Sequence, residues 1–499
     1  MKILSIQKDH LASVCVFEKG NLIYYNQEER LSRKRKDSGV PFYCIEQVKK
    51  LFGKVDRCVL TGYDTDVNTT DVICKYLTHI KLLDKLEDGY CYNTPHHLSH
   101  AAKAYYSSGF KKAIIFVVDG MGSTFDNGYE TTTVFKVNNG EFETIHKKIF
   151  TDTIDIGQFY GNVSKRLGWN HEEGKLMGLS AYGKPNKHIQ NYLHTNIFWQ
   201  NTSKEFEQYV LKNKEDLAFE TQSLFERVYM KLVKEHIEPG YDVIMTGGTA
   251  LNVVNNYKIR KALPSYYKLF IDPICGDEGN CIGIGAYYID KVLGYRINKK
   301  SISQIYLNPM YQYDDKESNS NLNEVVDILT NKNVVAFYQG RAEAGPRALG
   351  NRSLLLDPSL HNGKQIMNEI KHREPFRPFA CVVLEEEAKN WFEMDKIKNS
   401  PHMMYAVKVK EKKKSKIPSV VHVDGTCRIQ TVNKNDNAKL YNLLKLFYKK
   451  TKIPILMNTS FNVDGEPIVE TPKNAIDTFQ KSSIKYLYYA DLEKLCYKK

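Results

Sequence analysis

The feature that most restricts what this chain can fold into is a recurring strand ending, in which an apolar run stops abruptly at a glycine turn. Ala113 to Val118 ends at Asp119-Gly120-Met121-Gly122, and Val243 to Thr246 runs into Gly247-Gly248 and then a helix from Ala250. Strands ending in glycine-rich turns that open helices put backbone N–H groups where a phosphate can sit, as in α/β nucleotide-binding folds. The same turns also serve as plain connections. Further strands are expected at Ile3 to Gln7, Ser13 to Phe17 and Leu22 to Tyr25, the last two joined by a Lys19-Gly20-Asn21 hairpin turn.

At 499 residues and 42% hydrophobic content, the chain can bury more than one core, so two or three domains are expected. Disorder, collagen-like repeats and a coiled coil are excluded. No run approaches the ~18 uninterrupted apolar residues of a membrane helix, and Met1 to Ile6 enters a strand directly. A soluble, cytoplasmic protein without membrane contact is therefore expected. Ten cysteines without a C-x-x-C pair fit neither a zinc ribbon nor a disulfide framework, and read as reduced, mostly buried thiols. The net charge of +13 favours anionic ligands, though it is spread over a large surface.

No internal repeat stands out. The clearest cut lies near 296 to 322, where a polar stretch has little to place in a core. The expected division is a first domain over 1–300, a linker over 301–322 and a second domain over 323–499. The second should open with a short helix (Glu324 to Leu329) and a buried strand (Val334 to Tyr338).

Two constellations carry chemistry. In Thr94-Pro95-His96-His97-Leu98-Ser99-His100, Thr94 can cap a helix on which His96 and His100 stand at i and i+4, one turn apart on one face. Asp119 closes an apolar strand, where α/β sheets present ligand-contacting groups, and two histidines with one carboxylate suit Fe(II), Mn(II) or Zn(II). Asp277, in a glycine-flanked loop, is a second carboxylate candidate. The alternative is that these are ordinary helix-start histidines and turn aspartates.

The other constellation is basic. Arg341, Arg347 and Arg352 lie among glycines after a buried strand, followed by Lys371, Arg373, Arg377 and Arg428. Such cations repel one another unless a polyanion is present, and guanidinium groups match phosphoryl oxygens. A di- or triphosphate is the natural ligand, with Asn458, Ser460 and Asn462, after a strand from Ile453 to Met457, suited to orienting it. The alternative is an internal Arg–Glu network.

Taken together these segments resemble the carbamoyltransferase family of nodulation and antibiotic-tailoring O-carbamoyltransferases. The resemblance runs through Glu28 to Arg33, His96 to Ala101, Asp119-Gly120, Gly174 to Gly183, Gly247 to Asn252, Gly276 to Gly279, Arg341 to Ser353, Lys371 to Phe379 and Asn458 to Asn462. It implies an α/β actin/Hsp70-like (ASKHA) two-lobed N-terminal domain followed by an α+β YrdC-like domain. The second would use ATP and carbamoyl phosphate to make carbamoyl adenylate, with Mg²⁺, and the first would transfer the carbamoyl group to a hydroxyl.

Carried over by position, the resemblance implies that His96, His100, Asp119 and Asp277 hold a metal, commonly iron. Arg341, Arg347, Arg352, Lys371, Arg373, Arg377, Arg428, Asn458, Ser460 and Asn462 would bind nucleotide and carbamoyl phosphate. Gly247, Gly248 and Asn252 would contact nucleotide in the first domain. His10 and Lys175 are the catalytic candidates. One departure stands out: the family's His-Asp-Ser-Ala reads His10-Leu11-Ala12-Ser13 here, with Leu11 in place of the aspartate. The expected acceptor is a hydroxyl on a small molecule or nucleotide, DNA is admitted as an acceptor, and a homodimer is admitted as the assembly. The rival readings are a tRNA threonylcarbamoyl-type modification enzyme and an ATP-responsive scaffold.

Overall fold

The computed structural model describes every residue except 64–66, 85–88, 91–94, 126–127, 151–154, 196–202, 314–317 and 499. The chain forms two compact units, one of Met1–Asn252 with Leu263–Leu307, the other of Val253–Ala262 with Asn308–Lys499. Among the described residues no helix is long and apolar enough to cross a membrane.

The first unit is built on two sheets. One contains β1 (Lys2–Gln7), β2 (Ser13–Glu18), β3 (Asn21–Gln27), β4 (Arg57–Thr61) and β5 (Gly89–Tyr90), in the order β3-β2-β1-β4-β5. The β1, β2 and β3 pairings are antiparallel, whereas β4 and β5 continue in parallel from β1. Alternate residues explain its two faces. Leu4, Ile6, Val14 and Val16 enter a core with Cys44, Ile45, Val48, Ile73 and Leu77 from the Phe42–Phe52 and Val67–His79 helices. On the opposite face, Ser5 Oγ donates to the Cys281 carbonyl at 2.6 Å, against the Asn280–Tyr287 helix.

The other sheet contains β6 (Lys112–Val118), β7 (Thr124–Phe125), β8 (Gly128–Asn138), β9 (Glu141–Phe150), β10 (Asp242–Thr246) and β11 (Leu269–Ile271), in the order β11-β10-β6-β8-β7, with β9 also on β8. Leaving β7 aside, β9-β8-β6-β10-β11 repeats the plan of the first sheet: an antiparallel meander, then two parallel strands beyond its first member. This duplication is the plan of the actin/Hsp70-like fold. It is a repeat of topology, so the sequence shows no matching repeat.

Between the sheets runs the His96–Ser108 helix, nearly all of it buried. Its small residues serve a close crossing with the Asn280–Tyr287 helix: a Cβ on Gly283 would stand 1.9 Å from the Ser99 carbonyl oxygen. Buried Lys103 is neutralised by Asp272 at 2.6 Å.

The second unit is the α+β domain that the resemblance implies. Its mixed sheet comprises β12 (Val335–Tyr338), β13 (Arg352–Leu356), β14 (Ala380–Leu384), β15 (Ala406–Lys408), β16 (Thr426–Val432), β17 (Ile455–Ser460), β18 (Tyr486–Tyr489) and β19 (Lys494–Tyr497), in the order β15-β16-β14-β17-β13-β12-β18-β19. The Leu322–Thr330 and Ala438–Thr451 helices cover one face, packing Val325, Leu329, Leu440, Leu444 and Phe447 against Val335, Phe337, Leu355 and Leu456.

Two boundaries differ from expectation. The Val253–Ala262 helix belongs to the second unit, where Asn256 Nδ2 donates to the Met404 carbonyl at 3.1 Å and Tyr257 Oη reaches Asp395 at 2.9 Å. The stretch expected as a linker is largely anchored. Ile302, Ile305 and Leu307 are buried in the first unit, while Asn308 bonds Glu470 and Tyr313 bonds Asp491 in the second. Sparse hydrophobics in the polar stretch were enough to pin it. None of the nine cysteines described forms a disulfide, and eight are buried.

Candidate metal and anion sites

The His96–Ser108 helix has no side-chain cap of its own, and Thr94 lies outside the described residues. Its first N–H groups are instead satisfied from the second sheet. His96 N–H donates to Ser123 Oγ at 2.7 Å, and His97 N–H to Glu130 Oε1 at 3.0 Å. The helix start is thereby fixed against the end of β6, where Asp119 stands.

At that point four buried side chains converge. The Nε2 atoms of His96 and His100 are 3.1 Å apart. Asp277 Oδ1 lies 3.2 Å from the first and 3.3 Å from the second. Asp119 Oδ2 lies 3.1 Å from His100 and 3.6 Å from His96. One ligand atom from each residue falls within a 4.8 Å span. Asp119 Oδ2 is buried and makes no hydrogen bond despite its short approach to His100, which is how two ligands meet at a common centre.

The electrostatics agree. Burial pushes the His96 imidazole down, but Asp277 and Asp119 outweigh it and hold the group up at about 10, so that a proton supplies the positive charge two carboxylates require. Burial opposes ionisation of Asp119 and Asp277 as well, yet both stay below the usual carboxylate range because of the two histidines. Glu278, next in the chain, is pushed up to about 7, chiefly by burial and then by Asp277. A divalent cation fits this donor set of two imidazoles and two carboxylates.

Three residues around this set carry no motif of their own. Tyr63 donates its hydroxyl to Asp277 Oδ2 and stacks on His96 with ring centroids 4.8 Å apart. Glu130, buried, accepts from His97 N–H and Ser123 N–H. Asn280 places Nδ2 at 3.4 Å from His96 Nε2 and 3.3 Å from His100 Nε2. Each lies far in sequence from at least one of the ligands it serves.

Gly247 and Gly248 serve the same centre. Gly247 has φ +84°, and a Cβ there would stand 2.5 Å from the Val118 carbonyl oxygen, while Gly248 N–H donates to Asp119 Oδ1 at 3.2 Å. The turn expected to hold a phosphate thus holds a carboxylate ligand. Asn252 exchanges two amide hydrogen bonds with Gln222, at 2.9 and 3.1 Å, so both ends of its side chain are engaged within the protein.

His10 is half-buried, its ring centroid 5.4 Å from that of His171. Leu11 sits at φ 52° and Asp9 at φ 76°. The carboxylate missing at position 11 is present at Asp9, where it accepts the Tyr63 N–H at 2.9 Å and so ties the His10 loop to the residue that holds Asp277. Lys175 forms an ion pair with Glu172 at 2.5 Å, and Glu172 also pairs with Arg35 at 3.0 Å.

In the second unit the arginine loop runs between β12 and β13. Glu343, fully buried, organises it: Oε1 accepts the N–H groups of Leu349, Asn351 and Arg352 at 2.6, 2.9 and 3.2 Å. Arg347, Arg373, Arg377 and Arg428 gather there. Burial first, then the charges of Arg347 and Arg373, pull the Arg428 guanidinium well below its ordinary value, and Arg377 adds to this. Arg377 also pairs with Glu374 at 3.4 Å.

The other candidates of this unit make contacts within the fold. Arg352 is buried over the Tyr338 ring at 3.7 Å, and its guanidinium donates to the carbonyls of Gln339, Gly340, Asn351 and Glu470. In this structure it serves as a structural anchor of the loop. Lys371 Nζ bonds the carbonyls of Ser460 and Asn462 at 2.6 and 2.9 Å and Asn462 Oδ1 at 2.7 Å, tying three expected ligand contacts to one another. Arg341 Nε donates to the Asn308 carbonyl at 2.6 Å. Asn458 donates to Gln430 at 2.8 Å, inside β17 rather than beyond its end.

Comparison with known proteins agrees with this division. Residues 69–286 match the model of the carbamoyltransferase N-terminus and residues 326–495 that of the carbamoyltransferase C-terminus. The chain is 30% identical to protein MJ1051 of Methanocaldococcus jannaschii over 97% of this chain and 98% of that one. It is 30% identical to nodulation protein NolO of Bradyrhizobium diazoefficiens, covering 77% of this chain and 75% of NolO. With the 3'-hydroxymethylcephem-O-carbamoyltransferase of Amycolatopsis lactamdurans the identity is 27%, over 73% of this chain and 76% of that enzyme. A chain whose two units match the two halves of one enzyme family, and which aligns along its length with members of that family, belongs to the carbamoyltransferases.

Proposed function

We propose that this chain is an ATP-dependent O-carbamoyltransferase that makes carbamoyl adenylate from ATP and carbamoyl phosphate in its second unit and transfers the carbamoyl group to a hydroxyl in its first. The observation that carries the reading is the arginine cluster: half-buried Arg428 feels the charges of Arg347, Arg373 and Arg377, a concentration of charge that a polyphosphate would relieve. Water would cleave carbamoyl phosphate to phosphate and carbamate, and a carbamate oxygen would attack the α-phosphorus of ATP, forming a new P–O bond as the bond to the departing pyrophosphate breaks. The arginines would neutralise the charge on the phosphoryl oxygens, with Mg²⁺ on the outgoing pyrophosphate.

In the first unit, His96, His100, Asp119 and Asp277 would hold a divalent metal, with iron the family's expected ion. A metal there supplies Lewis acidity toward a phosphate or carbonyl oxygen. His10 would accept the proton of the acceptor hydroxyl as its oxygen bonds the carbamoyl carbon and AMP departs. Tyr63 and Gly248 would keep the two carboxylates in place. A hydroxyl acceptor is favoured because one relative's name specifies a hydroxymethyl group. The +13 charge favours an anionic metabolite or nucleotide over a cationic sugar.

The test is to offer ATP, carbamoyl phosphate and a library of hydroxyl compounds, and to follow AMP, pyrophosphate and product mass by mass spectrometry. Release of AMP and pyrophosphate that depends on carbamoyl phosphate is expected. Pyrophosphate release that needs threonine instead would overturn this reading in favour of tRNA modification.

A further inference from the structure

We infer that Asn280 is a fifth metal ligand, contributing its amide oxygen beside His96, His100, Asp119 and Asp277; the inference rests on the metal reading of that site.

Three observations meet at this residue. Asn280 is fully buried at the start of the Asn280–Tyr287 helix, three residues after Asp277, so one short turn delivers both side chains to one point. Its terminal Nδ2 stands 3.3 and 3.4 Å from the two histidine Nε2 atoms. Ligand atoms each held about 2.1 Å from one ion stand roughly 3.0–3.4 Å from their neighbours in tetrahedral or octahedral arrangements. The contacts among the histidines and Asp277, at 3.1 to 3.3 Å, have the same spacing. Asn280 therefore occupies a place in the ligand shell rather than behind it.

The third observation is the other end of the amide. Asn280 Oδ1 is buried and accepts no hydrogen bond. With the amide turned this way, two N–H groups face the position of a cation and an acceptor is left unsatisfied in the interior, which is unfavourable. A half turn about the Cβ–Cγ bond exchanges nitrogen and oxygen within nearly the same volume. It would aim the oxygen at the ion and leave both imidazole Nε2 lone pairs free to bind it. An amide adds a donor without adding charge, so two carboxylates would still balance a 2+ ion.

The experiment uses the full-length chain loaded with Co(II), whose visible absorption strengthens and shifts as its coordination number falls. Asn280→Leu keeps the volume and removes the donor. It should weaken Co(II) affinity at least 10-fold and change the visible spectrum toward lower coordination. Asn280→Asp restores an oxygen at the same reach and should keep affinity and coordination number near wild type, which an N–H donor to the histidines could not do. Circular dichroism checks that each variant folds, and the Asp variant stands as the test if Leu is not tolerated. Loss of Co(II) binding in Asn280→Asp, or an affinity and spectrum of Asn280→Leu identical to wild type, would overturn the inference alone. A wild-type chain that takes up no divalent metal would overturn the metal reading and this inference with it.

Discussion

Tyr63 shows how much of a candidate metal site lies outside the residues that would bind the ion. Its backbone N–H is held by Asp9, its ring lies on His96 and its hydroxyl reaches Asp277, so one side chain fixes two donors. Groups that orient metal ligands in this way typically contribute 10–100-fold in affinity. Tyr63→Phe should therefore weaken Co(II) binding about 10-fold while leaving the fold intact, read by metal titration and circular dichroism. Unchanged affinity would show that Asp277 is oriented without it. The ligand set itself was legible because i and i+4 histidines share a helix face at any depth of reading. Tyr63, Glu130 and Asn280 were not, because their roles arise only when strands and helices far apart in the chain are brought together. Arg352 shows the same limit: in sequence it sits among phosphate-type arginines, and only the fold reveals the buried carbonyls that it anchors.

At the level of elements, the metal site depends on the crossing of two helices. His96 and His100 ride on one, Asp277 and Asn280 lie at the start of the other, and Gly283 sets how closely they approach. Gly283→Ala would drive a Cβ to 1.9 Å from the Ser99 carbonyl oxygen, so the helices must part. A loss of about 1–3 kcal/mol is expected, seen as a lower urea midpoint, together with weaker Co(II) binding. Gly174→Ala, where a Cβ meets nothing within 4 Å, is the control and should not destabilise. The strands and their glycine turns were legible from apolar runs and turn residues, as were the first hairpin and the helix before β12. The duplicated sheet plan was not, because topology can repeat while side chains diverge to suit different neighbours. The expected linker misled for a related reason: Ile302, Ile305 and Leu307 are too few to register as a periodic pattern, yet each is buried.

For the molecule as a whole, the proposed function puts its two steps in different units, and they should then be separable. His100→Ala is expected to abolish transfer while leaving carbamoyl-phosphate-dependent ATP cleavage largely intact. Arg347→Ala and Arg373→Ala remove charge-assisted contacts of about 1.5–3 kcal/mol each; they should do the opposite, with product restored by synthetic carbamoyl adenylate. If His100→Ala folds but cleaves no ATP, or if the adenylate fails to rescue the arginine variants, the assignment of steps to units is wrong. Acceptor charge has its own measurement. Turnover with a polyanionic acceptor should fall as salt rises, most steeply for DNA, whereas efficient use of a cationic sugar with no reaction on any phosphorylated acceptor would refute the anionic preference. Lys413 and Lys414 will not decide the matter, since one lies over Trp391 and the other pairs with Glu411.

The Val253–Ala262 helix also sets a schedule for synthesis. It leaves the ribosome between two stretches of the first unit, but Met404, whose carbonyl takes the Asn256 side chain, is 148 residues downstream. At about 5–20 residues per second that partner arrives roughly 7–30 s later. Until then Asn256 lacks the carbonyl that takes its side chain, and Tyr257 waits almost as long for Asp395. The chain passes between its units at three places rather than one, so neither unit is a continuous stretch that a single cut could release. A nascent chain stalled before residue 404 should therefore be captured by chaperones through this helix, even where the sheets upstream of it have already closed.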